Sequence, residues 1–415
     1  MEDKKSELNK NEKKIDKTCI FSKEKINIGH QPEFDYLKTL GVFSICVSHV
    51  YINFSEGCLR LIIDFIRFKL TAGALMLLMG IGMKYTRHHE PKNYIYRGFV
   101  LVTMSQLVNF LRDCLPNLIA WWTTGNKNFL AEALLILQVD ILSFAGIAFI
   151  FIGLLKLFKL SDICIMIIGI MMNIIHFYSY KLIKSPNNYL LSQFFGYFII
   201  TDAETYFPLC SYFIFVSIGY WLGEIYQKIS NKDKFYNRIL FFCLPPSIIY
   251  RHFRDLNKIP KLPEFGSIEY YFLNPGPDAI ICVITNLSVL AIFYKIDTIL
   301  KGTPEFIAHA GKNMNQYYII SYIFTMQTNN FFRITKGEEF LSEMKYPTLL
   351  GLMALIISRI LIDINNKYIH FTITTLKNPI RNYVFAFIWI LTIISVIYIY
   401  PKLEAYANIW NNYLK

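Results

Sequence analysis

A histidine inside an apolar helix is the clearest chemical feature of this sequence. Residues 33–54 read EFDYLKTLGVFSICVSHVYINF, a polar start followed by an apolar segment that contains His49. On an α-helix, Asp35, Lys38 and His49 lie on one side, with about 21 Å between Asp35 and His49. An ionisable side chain in hydrocarbon is costly unless it faces protein or water, so it indicates a functional position. The imidazole could act as a general base, or it could be a hydrogen-bonded histidine at a helix contact.

Asp140 is the second candidate for chemistry. It lies in LQVDILSFAG and has no charged partner within its own helix. It therefore needs a partner from elsewhere, and the candidates are His49, a basic side chain or a hydroxyl. A carboxylate that holds the ring of His49 would set its tautomer and raise its basicity, as a general base requires. His49 and Asp140 are the predicted catalytic residues.

Two pairs of opposite charge also lie in or beside apolar segments. Arg112 and Asp113 are adjacent at the end of one segment, and Arg359 and Asp363 are four residues apart in another. Side chains four residues apart meet on a helix surface, which predicts that the second pair is a structural ion pair.

Cationic segments beside glycines and aromatics form the third feature. They are MGIGMKYTRHHEPKNYIYRG, residues 79–98, and HAGKNMNQYYIIS, residues 309–321. Such segments could bind an anionic ligand such as the phosphates of coenzyme A. The alternative is the positive charge and interfacial tyrosine usual at the inner ends of membrane helices. The residues of these segments predicted to contact the ligand are Lys84, Arg87, Arg97, Lys312 and Asn313.

Membrane helices are the elements that must position these residues. Hydrophobic residues make up 54% of the chain and charged residues 17%, which is too apolar for an ordinary soluble domain. We predict an all-α polytopic transmembrane bundle with about 10–11 spanning helices, because apolar segments near the roughly 20 residues that cross a bilayer recur along the chain. They lie at about 38–54, 70–85, 97–115, 133–157, 163–182, 206–226, 237–250, 278–296, 307–327, 346–365 and 381–400.

The polar segments divide the chain into three parts. We predict a disordered, basic cytoplasmic arm over residues 1–32, a transmembrane domain over 33–402 and a short C-terminal tail over 403–415. The lysines of the arm predict a cytoplasmic N-terminus in a multi-pass protein of the plasma membrane. We assign the net charge of +12 to membrane lipids rather than to nucleic acid, because no soluble basic module is evident. A homodimer is compatible with these features.

Several enzyme classes find no support in the sequence. The eight cysteines are scattered without a CxxC pair or metal-ligand spacing, so no metal site is predicted. Walker, GxGxxG, GxSxG and HExxH motifs do not occur.

Four polar loops are placed on the outer side, where they could assemble a site for an acceptor. They lie at about 112–132, 183–205, 251–277 and 328–345.

Five segments in order carry a family resemblance. They are EFDYLKTLGVFSICVSHVYINF, ALMLLMGIGMKYTRHHEPKNYIYRGFVL, VDILSFAGIAFIFIGLLKLF, YFPLCSYFIFVSIGYWLGEIY and HAGKNMNQYYIISYIF. This order resembles the integral-membrane acyltransferases related to heparan-alpha-glucosaminide N-acetyltransferase and, more distantly, the acyltransferase-3 family. The resemblance covers residues from about 33 to 330.

The resemblance implies an activity and roles for several residues. It implies transfer of an acyl group, with acetyl expected, from acyl-coenzyme A to a hydroxyl or amine of a glycan-like acceptor. Acyl-coenzyme A would be a co-substrate, and no metal is implied. The family's acidic, basic and histidine positions in the first span correspond to Asp35, Lys38 and His49. This correspondence implies that Lys38 contacts the acyl-coenzyme A. Asp140 corresponds to a position in a span that lines the family's core.

Other functions remain open on the sequence. A transporter or flippase for a glycan or lipid could use His49 and Asp140 as a proton relay. A non-catalytic scaffold would tolerate substitution of both residues. A glycan polymerase or ligase is a further alternative, but such proteins usually have a larger, arginine-rich outer loop than residues 251–277.

Overall fold

Most of the residues that the structure describes are helical. The computed structural model describes residues 19–53, 72–87, 89–180, 182, 188–200, 205–255, 276–337, 347–369 and 380–404, with the backbone alone for 48–53, 189, 251–255, 347, 403 and 404. Extended pairing within these ranges is limited to two isolated bridges. The predicted all-α bundle is therefore confirmed.

The helices are numbered in chain order. They are α1 Pro32–Asn53, α2 Ala72–Tyr85, α3 Pro91–Asn109, α4 Leu115–Thr124, α5 Lys127–Ala133, α6 Ile141–Leu157, α7 Asp162–Ser179, α8 Tyr189–Gly196, α9 Leu209–Gln227, α10 Lys232–Asp255, α11 Gly276–Leu300, α12 Glu305–Lys312, α13 Met314–Lys336, α14 Pro347–Ile364 and α15 Ile380–Glu404. A π-helical turn, Phe110–Cys114, joins α3 to α4, and a 3₁₀ turn, Leu134–Leu137, follows α5. A second π-helical turn, Asn365–Ile369, follows α14.

Five helical segments in the described ranges are long and apolar enough to cross a membrane. They are Asp162–Ser179, Leu209–Gln227, Gly276–Leu300, Thr348–Ile369 and Ile380–Lys402. The chain is therefore a membrane protein. These segments account for five of the predicted spans. Helices α2 and α6 are apolar but have only 14 and 17 residues, while α3 and α13 carry many buried polar side chains that contribute to the site described below.

Glycines allow two pairs of helices to cross closely. A methyl group on Gly80 of α2 would lie 2.2 Å from the carbonyl oxygen of Val216 in α9, and one on Gly98 of α3 would lie 2.4 Å from the carbonyl oxygen of Gly146 in α6. Because contacts this short involve backbone atoms, no larger residue fits without moving a helix. These crossings set the spacing of the side chains at both ends of the bundle.

One end of the bundle collects lysines, and we call it the lysine end. Helices α2, α6 and α9 end there, and α1, α3 and α7 begin there, as ion pairs between α2, α6, α7 and α9 show. The ring of Phe34 at the start of α1 lies 6.2 Å from that of Tyr85 at the end of α2. The start of α1 therefore belongs to the same end.

The segment before α1 packs onto the lysine end. The backbone N–H of Ser22 donates to the carbonyl oxygen of Lys228 at 2.8 Å, and the ammonium group of Lys25 lies 2.7 Å from the carboxylate of Glu224. We call residues 19–31 the strap.

The strap corrects one sequence prediction. We predicted disorder over residues 1–32, but the strap is fastened to the end of α9 by backbone hydrogen bonds, and Ile20 within it is buried. A polar, lysine-rich composition did not reveal these backbone bonds, because backbone groups are the same in every sequence. Residues 1–18 and 405–415 lie outside the described residues, so the rest of the arm and the tail stay predictions.

Candidate functional site

A π-helical turn brings two adjacent charges into the interior. The turn Phe110–Cys114 holds Arg112 and Asp113, whose exposed fractions are 0% and 1%. A π-helical turn inserts an extra residue into a helix and is frequent at functional sites. Both charges are buried within this turn.

Arg112 is the centre of a buried polar cluster. Its Nε donates to Oδ2 of Asp113 at 2.6 Å, and its Nη2 donates to the side-chain oxygen of Gln138. The guanidinium lies 4.2 Å over the ring of Tyr322. Its Nη1 is 3.6 Å from Oδ2 of Asp140 and has no hydrogen-bond partner among the described residues. One N–H group of a fully buried cation is therefore left to bind something else.

Asp140 begins helix α6 and meets the same cluster. Its Oδ1 accepts hydrogen bonds from the backbone N–H groups of Leu142 and Ser143 at 3.0 and 2.9 Å, and from the hydroxyl of Ser105 at 2.8 Å. Its Oδ2 accepts from the hydroxyl of Tyr318 at 3.1 Å. The partners predicted for Asp140 included a basic side chain and a hydroxyl, and both are present. Asp140 acts as a helix cap and as a counter-ion of Arg112. We define the buried cluster by its charged and hydrogen-bonded members, which are Ser105, Arg112, Asp113, Gln138, Asp140, Tyr318 and Tyr322.

Helix α1 passes beside this cluster. Ile45 packs in one apolar group with Val108, Leu142 and Tyr318, and the last of these is a member of the buried cluster. His49 follows Ile45 by one helical turn in α1. The side chain of His49 lies outside the described residues, so its pairing with Asp140 and its role as a base stay predictions.

Two predicted ligand-binding residues lie at the start of α1 and beside α12. Lys38 donates to Oδ1 of Asp35 at 3.2 Å, and Oδ2 of Asp35 lies 2.7 Å from Nε2 of His30 in the strap. A methyl group on Gly311 would lie 2.6 Å from Cβ of Asp35, so α12 touches α1 directly before Lys312. Lys312 is exposed. The structure thus places Lys38 and Lys312 beside the contact between α1 and α12.

Asn313 and His309 complete this region. The side-chain amide of Asn313 donates to the carbonyl oxygen of His309 at 2.9 Å, which caps α12. Nδ1 of His309 lies 3.0 Å from the hydroxyl of Tyr317, and its Nε2 lies 3.0 Å from Oδ1 of Asp363. Burial, followed by the nearby charge of Arg359, lowers the pKa of His309 below its ordinary value.

The predicted pair in α14 is confirmed. Nε of Arg359 donates to Oδ2 of Asp363 at 2.7 Å, and its Nη2 donates to Glu305 at 3.3 Å. The spacing of four residues was sufficient to predict the first contact, because it lies within one helix. The links of Asp363 to His309 and of Arg359 to Glu305 depend on the packing of α12 against α14.

The other predicted cations lie at the lysine end with different surroundings. Lys84 is buried, pairs with Asp162, and lies 4.2 Å over the ring of Tyr220. Arg97 is exposed and lies 4.9 Å over the ring of Phe149, and Arg87 is exposed as well. All three share one end with Lys38 and Lys312, and Lys84 differs from the other two in being buried beside a carboxylate.

Several residues were not singled out from the sequence. Arg333 and Glu132 form a two-bond ion pair at 2.6 and 2.8 Å between α13 and α5. His176 lies 2.9 Å from the hydroxyl of Ser211 through Nδ1, and its Nε2 accepts the backbone N–H of Ile200 at 3.1 Å. Because both ring nitrogens are occupied, His176 serves the structure. The spacing of Ser105, Asn109 and Arg112 marks one polar face of α3 and was a usable sequence signal.

Metal ligands are not grouped in the part of the chain described here. Within those ranges, three or more His, Cys, Asp or Glu side chains do not come together in a way that could hold a metal ion.

Comparison with known proteins does not assign a family. No protein-family model, curated protein or solved structure matches the chain.

Proposed function

We propose that this protein is a membrane-bound acyltransferase. It would move an acyl group, with acetyl expected, from acyl-coenzyme A to a hydroxyl or amine of a glycan-like acceptor. The proposal includes a plasma-membrane location with a cytoplasmic N-terminus, which would place the lysine end on the coenzyme A side.

The observation that carries the proposal is the course of α13. Tyr317 lies beside His309 near the lysine end, Tyr318 bonds Asp140, and Tyr322 lies under Arg112. From its first residue, Met314, to Tyr322, α13 rises about 12 Å. Helix α13, which begins two residues after the exposed Lys312, thus runs from this cation to the buried cluster. A phosphate-bearing donor with a long, flexible arm would need such a link to deliver its thioester to the interior.

The buried cluster and His49 together would supply the groups that acyl transfer requires. His49 would take the proton from the acceptor hydroxyl or amine as that atom attacks the thioester carbon. Nη1 of Arg112, with its spare N–H, would stabilise the oxyanion that develops on the carbonyl oxygen. As the C–S bond breaks, the coenzyme A sulfur would receive the proton from His49. Asp140 and Tyr318 would hold Arg112 and the start of α6 in position.

The experiment uses the purified protein in proteoliposomes with labelled acetyl-coenzyme A and extracts of cell-envelope glycans. Free thiol and transferred label are followed together. We expect His49→Ala to lower the transfer rate roughly 100- to 10,000-fold, the usual worth of general base catalysis. Tyr318→Phe should lower it about 10- to 100-fold, because a hydrogen bond to a charged group is worth about 1.5–3 kcal/mol.

Tyr94→Phe is the matched control. It also removes a buried phenol hydroxyl that donates a hydrogen bond, in this case to the carbonyl oxygen of Met83 at 3.0 Å, but outside the buried cluster. Its rate should remain near that of the unmodified protein. Absence of thiol release with several acyl donors would refute the proposal. Proton-driven uptake or flipping without thiol release would instead establish the transporter alternative.

A further inference from the structure

Four lysines from separate parts of the chain converge on two carboxylates at the lysine end. Lys25 of the strap and Lys228 after α9 contact the two oxygens of Glu224 at 2.7 and 3.2 Å. Lys84 at the end of α2 lies 4.0 Å from the same carboxylate. Glu224 is therefore shared among three ammonium groups.

Asp162 is shared in the same way. It pairs with Lys84 and lies 3.8 Å from the ammonium group of Lys156 at the end of α6. The six groups joined by these contacts carry four positive and two negative charges. This leaves an excess of two positive charges within a small volume.

The excess positive charge contributes to a shift in the pKa of the neighbouring His89. Burial, followed by the positive charges of Lys25 and Lys84, lowers the pKa of His89, in the turn before α3. Like charges held close together repel, so binding of an anion would stabilise an arrangement with this excess of positive charge.

The exposure of the lysines indicates how an anion could reach them. The side chains of Lys25, Lys228 and Lys156 are 46%, 38% and 28% exposed, whereas that of Lys84 is 10% exposed. Three ammonium groups thus face water, and the fourth, that of Lys84, is buried between α2, α7 and α9. This differs from Lys295 at the same end, which pairs with Asp233 at 3.0 Å in a simple exposed ion pair.

We propose that Lys25, Lys84, Lys156 and Lys228 form a binding site for a phosphate group, and that the strap completes it. Ammonium groups converging from several elements suit a phosphate, which accepts charge-assisted hydrogen bonds on several oxygens. The phosphate could belong to coenzyme A or to an anionic lipid headgroup. The choice of coenzyme A rests on the proposed function, whereas the phosphate site does not.

The test measures binding by the full-length protein in nanodiscs of neutral lipid. Coenzyme A and dephospho-coenzyme A are titrated, and in a second arm the retention of an anionic phospholipid is measured. The variants are Lys25→Ala, Lys228→Ala and the double variant, all at exposed positions that folding should tolerate. Lys295→Ala is the control for loss of one exposed lysine at the same end.

We expect each single variant to weaken the affinity for coenzyme A about three- to tenfold, since one lysine near an anionic surface is worth about 1 kcal/mol. The dependence of affinity on salt should become shallower, while Lys295→Ala should behave like the unmodified protein. If the same two variants weaken only retention of the anionic lipid, the phosphate site is supported and the coenzyme A part of the proposed function fails. If neither ligand is affected, the phosphate site is refuted.

Discussion

Removal of the Asp140 side chain tests whether the buried cluster is held together from the start of α6. In Asp140→Ala, helix α6 loses its N-cap, and Arg112 loses one of its two carboxylates. The hydroxyl of Tyr318 loses its hydrogen bond to Oδ2 of Asp140, and that of Ser105 loses its bond to Oδ1 but keeps Ser143 as a partner at 2.7 Å. The substitution should therefore lower the free energy of unfolding by more than the loss of a helix cap alone would.

The magnitude follows from these contacts. Loss of an N-cap costs about 1 kcal/mol, and loss of a hydrogen bond to a charged group costs about 1.5–3 kcal/mol. Arg112 keeps Asp113, so the full cost of an unpaired buried charge does not apply. We expect Asp140→Ala to lower the free energy of unfolding by about 2–4 kcal/mol.

Ser161→Ala supplies the matched control. Ser161 caps α7 through the backbone N–H of Cys164, is exposed and lies outside the buried cluster. Loss of this cap should lower the free energy of unfolding by about 0.5–1 kcal/mol. Both variants are unfolded reversibly in mixed detergent micelles, and tryptophan fluorescence reports the folded fraction. If Asp140→Ala is no more destabilising than Ser161→Ala, the reasoning about the buried cluster is wrong.

Two further predictions concern packing and pH. Gly80→Ala should destabilise the protein by about 1–3 kcal/mol in a thermal unfolding assay, because the new methyl group would meet the backbone of α9. Gly82→Ala is the control and should be nearly neutral or stabilising, because nothing lies within 4 Å of its added carbon. Equal effects of the two substitutions would contradict the close crossing of α2 and α9. Since the pKa of His309 in α12 is lowered from 6.5, the unfolded state binds more protons below about pH 6.5, so stability should fall as the pH drops through that range. His309→Gln should flatten this part of the stability profile, and an unchanged profile would exclude His309 as its source.

Contacts within one helix were predictable from the sequence, and contacts between helices were much less so. The pair Arg359 and Asp363 follows from a spacing of four residues. Asp140 was recognised as needing a partner, because a carboxylate in an apolar segment cannot remain unpaired. Its contacts with Arg112 and Tyr318 could not be derived, because these residues are brought beside it only by the packing of α3 and α13 against α6.

Neither the π-helical turn nor the packing of the strap could be predicted from the sequence, because both depend on tertiary contacts. Arg112 and Asp113 are adjacent, and the apolar pattern of the sequence does not show where a helix takes up the extra residue of a π-helical turn. Tertiary packing stabilises the extra residue in the turn that buries them both. The strap is bound chiefly through backbone groups, which every sequence possesses, so its lysines alone suggested disorder.

The sequence by itself determined that this is an all-α membrane protein, because hydropathy and helical periodicity are properties of short segments. It also determined which charges needed an explanation, since ionisable groups are rare in apolar segments. Only the tertiary structure decided how those charges are grouped. Glycines at the helix crossings let backbones approach closely, and this approach brings residues from distant parts of the chain within a few ångströms. Coulomb energy depends on the distance between charges in space, so the partners of Arg112 and the lysines that share Glu224 are consequences of the fold.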